Sequence, residues 1–166
     1  MRGTKRHIVV QVTKKIKVAN IGLLRIKKLV RTVCRRFRLS KATVSIVLVG
    51  DARMRQMDRQ FLNRNCSTDC LSFDLSDDAT GSENLFELII NAEKARKEAR
   101  RRGHSLNAEL ALYITHSLLH NLGFDDSRPE QAEKMHRTED RILKQLGYGF
   151  VYNADNNPPS DNQLKG

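Results

Sequence analysis

Residues 113–126, YITHSLLHNLGFDD, combine an apolar helical pattern with three side chains able to bind a metal. His116 and His120 are four positions apart, so on a helix their side chains leave the same face one turn apart. Gly123 supplies the left-handed turn that ends a helix and reverses the chain, and Asp126 follows it. The pattern H-x-x-x-H-x-x-G-x-x-D predicts a metal site of His116, His120 and Asp126 at the C-terminal end of a core helix.

The predicted donor set is typical of a catalytic zinc site. Two nitrogen ligands and one oxygen ligand leave a coordination position for water, and we expect one zinc ion per chain, with His116 also taking part in catalysis. Asp125 and His136 are available as a fourth ligand, so a closed structural site is an alternative. Zinc peptidases with H-E-x-x-H use the glutamate after the first histidine as a base. That position is Ser117 here, which argues against a peptidase.

Hydrophobic periodicity outside this stretch predicts an α+β fold, a small mixed sheet of about four strands packed with about five helices. Strands are predicted from β-branched and apolar runs at 7–13, 43–49, 69–75 and 85–91. Helices are predicted at 21–38, 51–63, about 91–102, 106–122 and 129–146, with Gly103, Ser105 and Pro129 marking helix ends. We expect one domain over 1–150 and a disordered polar tail over 151–166.

Basic residues are concentrated in the N-terminal part of the chain. Residues 1–50 contain 14 Lys or Arg and no acid, whereas residues 51–166 hold 16 bases and all 19 acids. Arg25, Lys28 and Arg35 lie outside the apolar face of the first predicted helix, and we predict that they bind RNA through its phosphates. The alternative is a solvated face without a partner, and the same two interpretations apply to the cluster KARKEARRR at 94–102.

The cysteines and the apolar runs indicate the compartment. Three cysteines, an odd number, without a signal-peptide pattern argue against a disulfide framework, so Cys34, Cys66 and Cys70 are predicted to be reduced, partly buried thiols. No apolar run reaches the ~18–20 residues of a membrane span. We expect a soluble, cytoplasmic protein that does not contact membranes and needs no small-molecule organic cofactor.

The segment HSLLHNLGFDD at 116–126 resembles the signature H-G-x-L-H-L-x-G-Y-D-H of the YbeY family, bacterial rRNA-maturation endoribonucleases. TDCLSF at 68–73 resembles the family's T-D-V-L-S-F, and ELII at 87–90 stands where the family has D/E-I-x-I. The resemblance covers roughly residues 5–148. It implies a zinc ion in a cleft beside the sheet and cleavage of single-stranded RNA. It also implies 16S rRNA 3′-end processing and ribosome quality control, with the small ribosomal subunit as partner.

The chain departs from the family pattern at the metal site. The third ligand is usually His and is Asp126 here, and the Gly that usually follows the first His is Ser117. A carboxylate lowers the effective charge of the metal, so its bound water should be less acidic than in a three-histidine site. We predict a weaker but functional site that tolerates other divalent ions.

A further departure concerns the RNA cleft. The family's Y-R pair, whose Arg is thought to line that cleft, falls on Phe61 and Leu62, and a leucine cannot bind a phosphate. Arg59 or Arg64 is available to stand in, and we assign a catalytic role to Arg64. The alternative function is that of a non-catalytic ribosome-assembly or RNA-binding factor whose metal is structural.

Overall fold

The computed structural model describes residues 5–79, 81–149 and 151. Within these ranges the strands are β1 (His7–Lys14), β2 (Lys41–Val49), β3 (Cys70–Asp74) and β4 (Asn84–Asn91). The helices are α1 (Leu23–Arg36), α2 (Asp51–Leu62), α3 (Ala92–Arg102), α4 (Leu106–Asn121) and α5 (Pro129–Gln145). The predicted α+β fold is confirmed. Of the tail predicted at 151–166, only Val151 lies within the described residues, where it is buried.

The sheet brings the start of β3 close to the helix that carries the histidines. Its strand order is β1-β2-β4-β3, with β1, β2 and β4 parallel and β3 antiparallel to β4 at one edge. Parallel neighbours need a crossover connection, and α1 supplies it between β1 and β2. Because β3 begins directly after Asp69, the carboxylate of the TDCLSF block lies at the strand's start, next to α4.

The larger hydrophobic core lies between one face of the sheet and α1, α4 and α5. Eleven of the 16 residues of α4 are buried, and the helix contacts β3, β4, α1, α3 and α5. Ser105 caps its N-terminus by accepting a 3.1 Å hydrogen bond from the Ala108 amide, as its residue type predicted. Packing on nearly every side therefore fixes the position of side chains at the C-terminal end of α4.

The opposite face of the sheet carries α2 over a smaller core of Val49, Met54, Leu71 and Ile89. Only two residues of α2, Met54 and Asp58, are buried. α2 ends before it covers the whole of this face of the sheet, so apolar side chains such as Leu85 stay exposed there. The two sides of the sheet thus differ in how completely they are covered.

The described residues include no helix long and apolar enough to cross a membrane. The cysteines are free thiols, as predicted. Cys34 is buried and Cys70 is half-buried, and burial raises the pKa of the Cys34 thiol to about 11 and raises that of Cys70 as well. Cys66 is exposed, contrary to the expected partial burial, because it lies in the loop between α2 and β3.

Candidate metal centre

The two histidines on α4 and the aspartate after it converge at the end of the helix. The Nε2 atoms of His116 and His120 are 3.0 Å apart. Asp126 Oδ2 lies 3.5 Å from His116 Nε2 and 3.6 Å from His120 Nε2. Ligand atoms of a tetrahedral zinc site with bonds of ~2.0–2.2 Å are ~3.3–3.6 Å apart. Both distances to Asp126 fall in this range and the distance between the two nitrogens is shorter, so the three atoms lie close enough together to hold one metal ion.

The turn after α4 brings Asp126 back over the end of the helix. Gly123 has a φ of 95°, in the left-handed region that favours glycine. Its amide donates to the His120 carbonyl, and the next amide, of Phe124, donates to the Leu119 carbonyl at 2.9 Å. These bonds close the helix C-terminus and reverse the chain, so the glycine in the sequence pattern has the structural role predicted for it.

Two acceptors behind the histidines fix which ring nitrogen faces the site. Glu139 Oε1 on α5 lies 2.6 Å from His116 Nδ1, and the Phe124 carbonyl oxygen lies 3.1 Å from His120 Nδ1. A carbonyl oxygen only accepts, so His120 carries its proton on Nδ1, and the Glu139 carboxylate favours the same tautomer of His116. Each Nε2 lone pair is therefore left for a metal, the arrangement found behind zinc-binding histidines.

The electrostatics of the three donor atoms favour a bound cation. Two unprotonated Nε2 atoms and a carboxylate oxygen within 3.6 Å of one another repel unless positive charge lies between them. Burial opposes the charged form of His116, but the hydrogen bond and charge of Glu139, with the charges of Asp69 and Asp126, outweigh it and raise its pKa. The same charges that hold a proton there would hold a metal ion, so the residues present fit one.

The alternative fourth ligands are otherwise engaged. Asp125 accepts from the amide and the hydroxyl of Ser127, at 2.9 and 2.7 Å. His136 Nδ1 lies 3.0 Å from Glu139 Oε2, so Glu139 binds two imidazoles at once. His116, His136 and Glu139 also come within ligating distance of one another, but their contacts are those of hydrogen bonds. Glu139 therefore links His116 and His136 behind the predicted donor atoms.

The model of the family Endoribonuclease YbeY matches residues 10–147. This chain belongs to the YbeY family. Among curated relatives, an Endoribonuclease YbeY of Anaeromyxobacter is 38% identical over 64% of this chain and 55% of its own length. That of Thermodesulfovibrio yellowstonii is 34% identical over 80% of this chain and 92% of its own.

This chain covers different shares of its relatives, and one solved structure has a similar fold. The chain spans about half the length of the Anaeromyxobacter protein and 38% of a Myxococcus xanthus relative that is 35% identical to it. The solution structure of TM1509 from Thermotoga maritima aligns with 92% of this chain and 99% of its own at a TM-score of 0.56 and 18% identity. At that identity the likeness shows a shared fold.

Beside the ligands a cavity of about 440 Å³ opens between α3, α4 and α5. Its wall includes five carboxylates, belonging to Asp69, Glu98, Glu109, Asp126 and Glu139. Lys94 and Arg102 on α3 are the cations in the same wall. Arg102 is held by Glu109 at 3.1 Å and by the Val151 carbonyl. The excess of acids makes the cavity attractive to a divalent cation.

The structure also shows the surroundings of Ser117 and Leu62, two of the positions that depart from the family pattern. Ser117 is buried and donates to the Tyr113 carbonyl at 2.9 Å, so its side chain points away from the ligands. Leu62 is 45% exposed at the end of α2. Arg64, predicted to be catalytic, donates to the buried Asp58 at 2.8 Å and is not among the residues that line this cavity. Its role stays a prediction.

The arginines and lysine predicted to bind RNA lie on α1, with Arg25 and Arg35 exposed and Lys28 at the helix surface. Their positions, 25, 28 and 35, fall on one side of the helix at three- and seven-residue steps. The guanidinium of Arg25 lies 4.3 Å from the centre of the Tyr148 ring. Phe37, directly after α1, contacts Phe124 edge-on at 5.6 Å. The C-terminal end of the basic helix is thus adjacent to the loop that carries Asp126.

Sequence reasoning missed Glu139 as a partner of the histidines and did not place Lys94 and Arg102 beside them. A signal for Glu139 was present, because it lies at the apolar positions of α5 with Met135, Ile142 and Leu143, where a buried acid requires a partner. Asp69 is recognisable from the sequence only as part of a block that resembles the family. Lys94 and Arg102 belong to the basic cluster 94–102 that the sequence offered as an RNA-binding candidate, but their approach to the histidines depends on tertiary packing.

Proposed function

We propose that this chain is a metal-dependent endoribonuclease that cleaves single-stranded RNA, with zinc as the metal and one ion per chain. The observation that carries the proposal is the convergence of His116 Nε2, His120 Nε2 and Asp126 Oδ2 within 3.6 Å, beside an open cavity that His116 and Asp126 line. Relatives named Endoribonuclease YbeY support RNA as the substrate. Three protein ligands leave a position for a substrate oxygen or a water.

In this proposal, residues of the chain orient the histidines and supply positive charge in the cavity. Glu139 keeps the His116 proton on Nδ1, and the Phe124 carbonyl does the same for His120, so both Nε2 atoms stay available. When bound, the metal would supply Lewis acidity toward a phosphodiester oxygen or a water molecule. Lys94 supplies positive charge in the cavity wall, where it would offset charge that develops on the phosphate, whereas Arg102 is paired with Glu109.

RNA approaches this site along α1. Arg25, Lys28 and Arg35 offer phosphate contacts on the outer side of the helix, and the contact of Phe37 with Phe124 joins its end to the ligand loop. Arg64 presents a half-exposed guanidinium that is paired with Asp58, so we propose that it contacts the RNA backbone without transferring a proton. Binding that depends on these cations should weaken steeply as salt is raised.

Within this activity we propose a role in rRNA maturation. The substrate would be the 3′ end of 16S rRNA, the partner the small ribosomal subunit, and the setting the cytoplasm, with a contribution to ribosome quality control. Membership of the YbeY family supports this role. The 14 bases without an acid in residues 1–50 support a polyanionic partner.

The carboxylate ligand sets the expected metal preference. Asp126 adds a negative charge that a neutral imidazole lacks, and its side chain is 41% exposed. We expect weaker zinc binding than in a three-histidine site and greater tolerance of Mn²⁺ or Co²⁺. Asp126→His restores the ligand usual in the family and should tighten zinc binding, measured by competition with a chromophoric chelator.

A non-catalytic RNA-binding factor with a structural metal is the second candidate. The observation that favours it is the exposed Leu62 at the family's arginine position, together with the pairing of Arg64 with Asp58. The two candidates differ in whether RNA is cut. In the catalytic case the metal is needed for cleavage, whereas in the second it is needed for folding.

The test uses a labelled single-stranded rRNA fragment, the wild type, His116→Ala and the control His7→Ala, whose histidine is exposed on β1. We expect wild type and His7→Ala to cleave it, EDTA to stop cleavage, zinc to restore it, and His116→Ala to be inactive. RNA binding by all three proteins with cleavage by none would replace the proposal with the non-catalytic candidate. Cleavage of peptides in place of RNA would contradict both.

A further inference from the structure

An apolar patch lies where α2 ends, on the face of the sheet opposite to α4. It consists of Phe61, Leu62, Phe73, Leu75 and Leu85, and we refer to it as the β3-edge patch. Four of its members are exposed: Phe61 by 52%, Leu62 by 45%, Leu75 by 57% and Leu85 by 37%. Single exposed apolar residues are common on protein surfaces, whereas a contiguous group marks a binding surface.

The patch is contiguous across three elements. The rings of Phe61 and Phe73 meet at 5.4 Å between centroids, with an angle of 63° between their planes. Phe73 and Leu75 alternate along the edge strand, so they share one face. The Leu75 amide donates to the Leu85 carbonyl at 2.7 Å, which sets these two residues opposite each other across the ladder. A single apolar surface therefore runs from α2 over β3 to β4.

Positive charge borders the patch on its α2 side. Arg55, Arg59 and Leu62 are spaced by four and three residues, so they lie on one side of the helix. Arg59 is exposed, and Arg55 is bound through Nε to Asp51 at 2.9 Å. Arg64 follows the helix with its side chain 53% exposed. An exposed ring, Phe61, in contact with the half-buried ring of Phe73 and bordered by arginines is a combination with which proteins bind single-stranded nucleic acid.

Charge decides between a nucleic acid and a second copy of this chain. Residues 51–64 carry four arginines and two aspartates, so a two-fold contact through the patch would bring the arginines of two α2 helices together. A polyanion is attracted by the same groups. Acids lie on the sheet side of the patch: Glu87 stands opposite Phe73 in the ladder, and Asp77 and Asp78 are exposed just after Leu75, so phosphates would be repelled there. Bases fit over the sheet and phosphates along α2.

We propose that the β3-edge patch is a base-stacking subsite for single-stranded RNA, with Phe61 and Phe73 contacting bases and Arg59 contacting the backbone. This inference rests on the proposed function, because RNA is the ligand in both. It gives Leu62 a role, since an apolar side chain at this position contacts a base edge where the family's arginine would bind a phosphate. RNA bound here lies outside the metal cavity and extends the footprint of the enzyme.

The experiment measures RNA binding by fluorescence anisotropy in a His116→Ala background, so that cleavage plays no part. The probes are a labelled single-stranded RNA of about ten nucleotides and an abasic strand of the same length. Phe61→Ala should weaken binding of the intact RNA at least about fivefold and leave the abasic strand unaffected. Phe61→Tyr, which retains a ring, should restore binding. Leu24→Ala, which removes an 83% exposed leucine from α1, is the matched control and should change neither probe.

The outcomes separate this inference from the cleavage proposal. An equal loss on both probes, or no loss on the intact RNA, would overturn base stacking. A dimer of the wild type that Phe61→Ala converts into a monomer in sedimentation would assign the patch to a second copy. If the wild type fails to cut RNA but the Phe61→Ala effect on the intact strand is present, the subsite stands and the nuclease proposal fails. Thermal unfolding of each variant within a few degrees of the wild type shows that folding is retained.

Discussion

The two sides of the sheet carry helices of opposite character. On one side α4 is buried along most of its length, and its two histidines are held from behind by Glu139 and by a backbone carbonyl. On the other side α2 has two buried residues, several arginines and an exposed apolar end. The geometry of the candidate metal site is built into the packed side, whereas the chain's departure at Leu62 is on the open side.

This contrast explains why the departures from the family pattern at Asp126 and Leu62 have different consequences. Asp126 still places an oxygen 3.5 Å from His116 Nε2, because the turn at Gly123 brings the chain back over the end of α4. Leu62 is half-exposed on an incompletely covered helix, so the substitution changes what the surface binds without disturbing the core. Function at the packed side depends on geometry, and at the open side on surface chemistry.

The largest effect is expected on the packed side of the sheet, from removal of a predicted metal ligand. His116→Ala and Asp126→Ala should each lower zinc affinity by at least about a hundredfold, because a site with two protein ligands binds poorly. Isothermal titration of metal-free protein with zinc measures the change. Asp125→Ala is the control, because that carboxylate is bound to Ser127 and should leave the affinity nearly unchanged. Equal zinc affinity of Asp126→Ala and the wild type would show that Asp126 is not a ligand.

Leucine truncations compare the packing of the two helices directly. Leu118 on α4 is fully buried, so Leu118→Ala should lower the free energy of unfolding by about 2–5 kcal/mol. Leu62→Ala, at a half-exposed site, should change it by less than about 0.5 kcal/mol. Urea unfolding followed by circular dichroism measures both. Similar losses from the two variants would mean that α2 is as tightly packed as α4.

The same contrast separates what the sequence could predict from what it could not. The apolar period of α4, the histidine spacing and Gly123 are local signals, and they are enough to predict the helix, the turn and the approach of Asp126 to the histidines. Glu139 joins the site from α5, and Lys94 and Arg102 from α3, so their positions depend on how helices pack. The β3-edge patch depends on where α2 stops covering the sheet, which the periodicity of its own residues does not reveal.

Removing the charge behind His116 tests how rigidly the packed side must be held. Glu139→Gln keeps the size of the side chain but weakens its hold on the His116 Nδ1 proton. Zinc affinity should fall by about ten- to a hundredfold, less than on loss of a ligand. Glu133→Gln is the matched control, because that glutamate is exposed on the same helix and pairs with Arg137. An unchanged zinc affinity in Glu139→Gln would mean that tautomer control does not contribute to the site.

On the open side the smallest effect concerns acid stability. Asp51, at the start of α2, accepts hydrogen bonds from Ser67, Arg55 and Asn91, which together lower its pKa to about 2. Because the folded pKa lies below the unfolded value of 3.8, the carboxylate stabilises the fold above that pH, and the contribution is lost as pH falls toward 2.

We expect Asp51→Asn to cost roughly 1–2 kcal/mol near neutral pH, reduced from the full linkage value because the side chain is partly exposed. The cost should shrink as pH falls from 4 toward 2, where the wild-type carboxyl is about half protonated in the folded protein and nearly fully protonated in the unfolded one. Urea midpoints of both proteins across this range measure the difference. A gap that stays constant with pH would mean that the amide of the variant fails through its shape or hydrogen bonding, and that the charge of Asp51 does not hold the loop between α2 and β3.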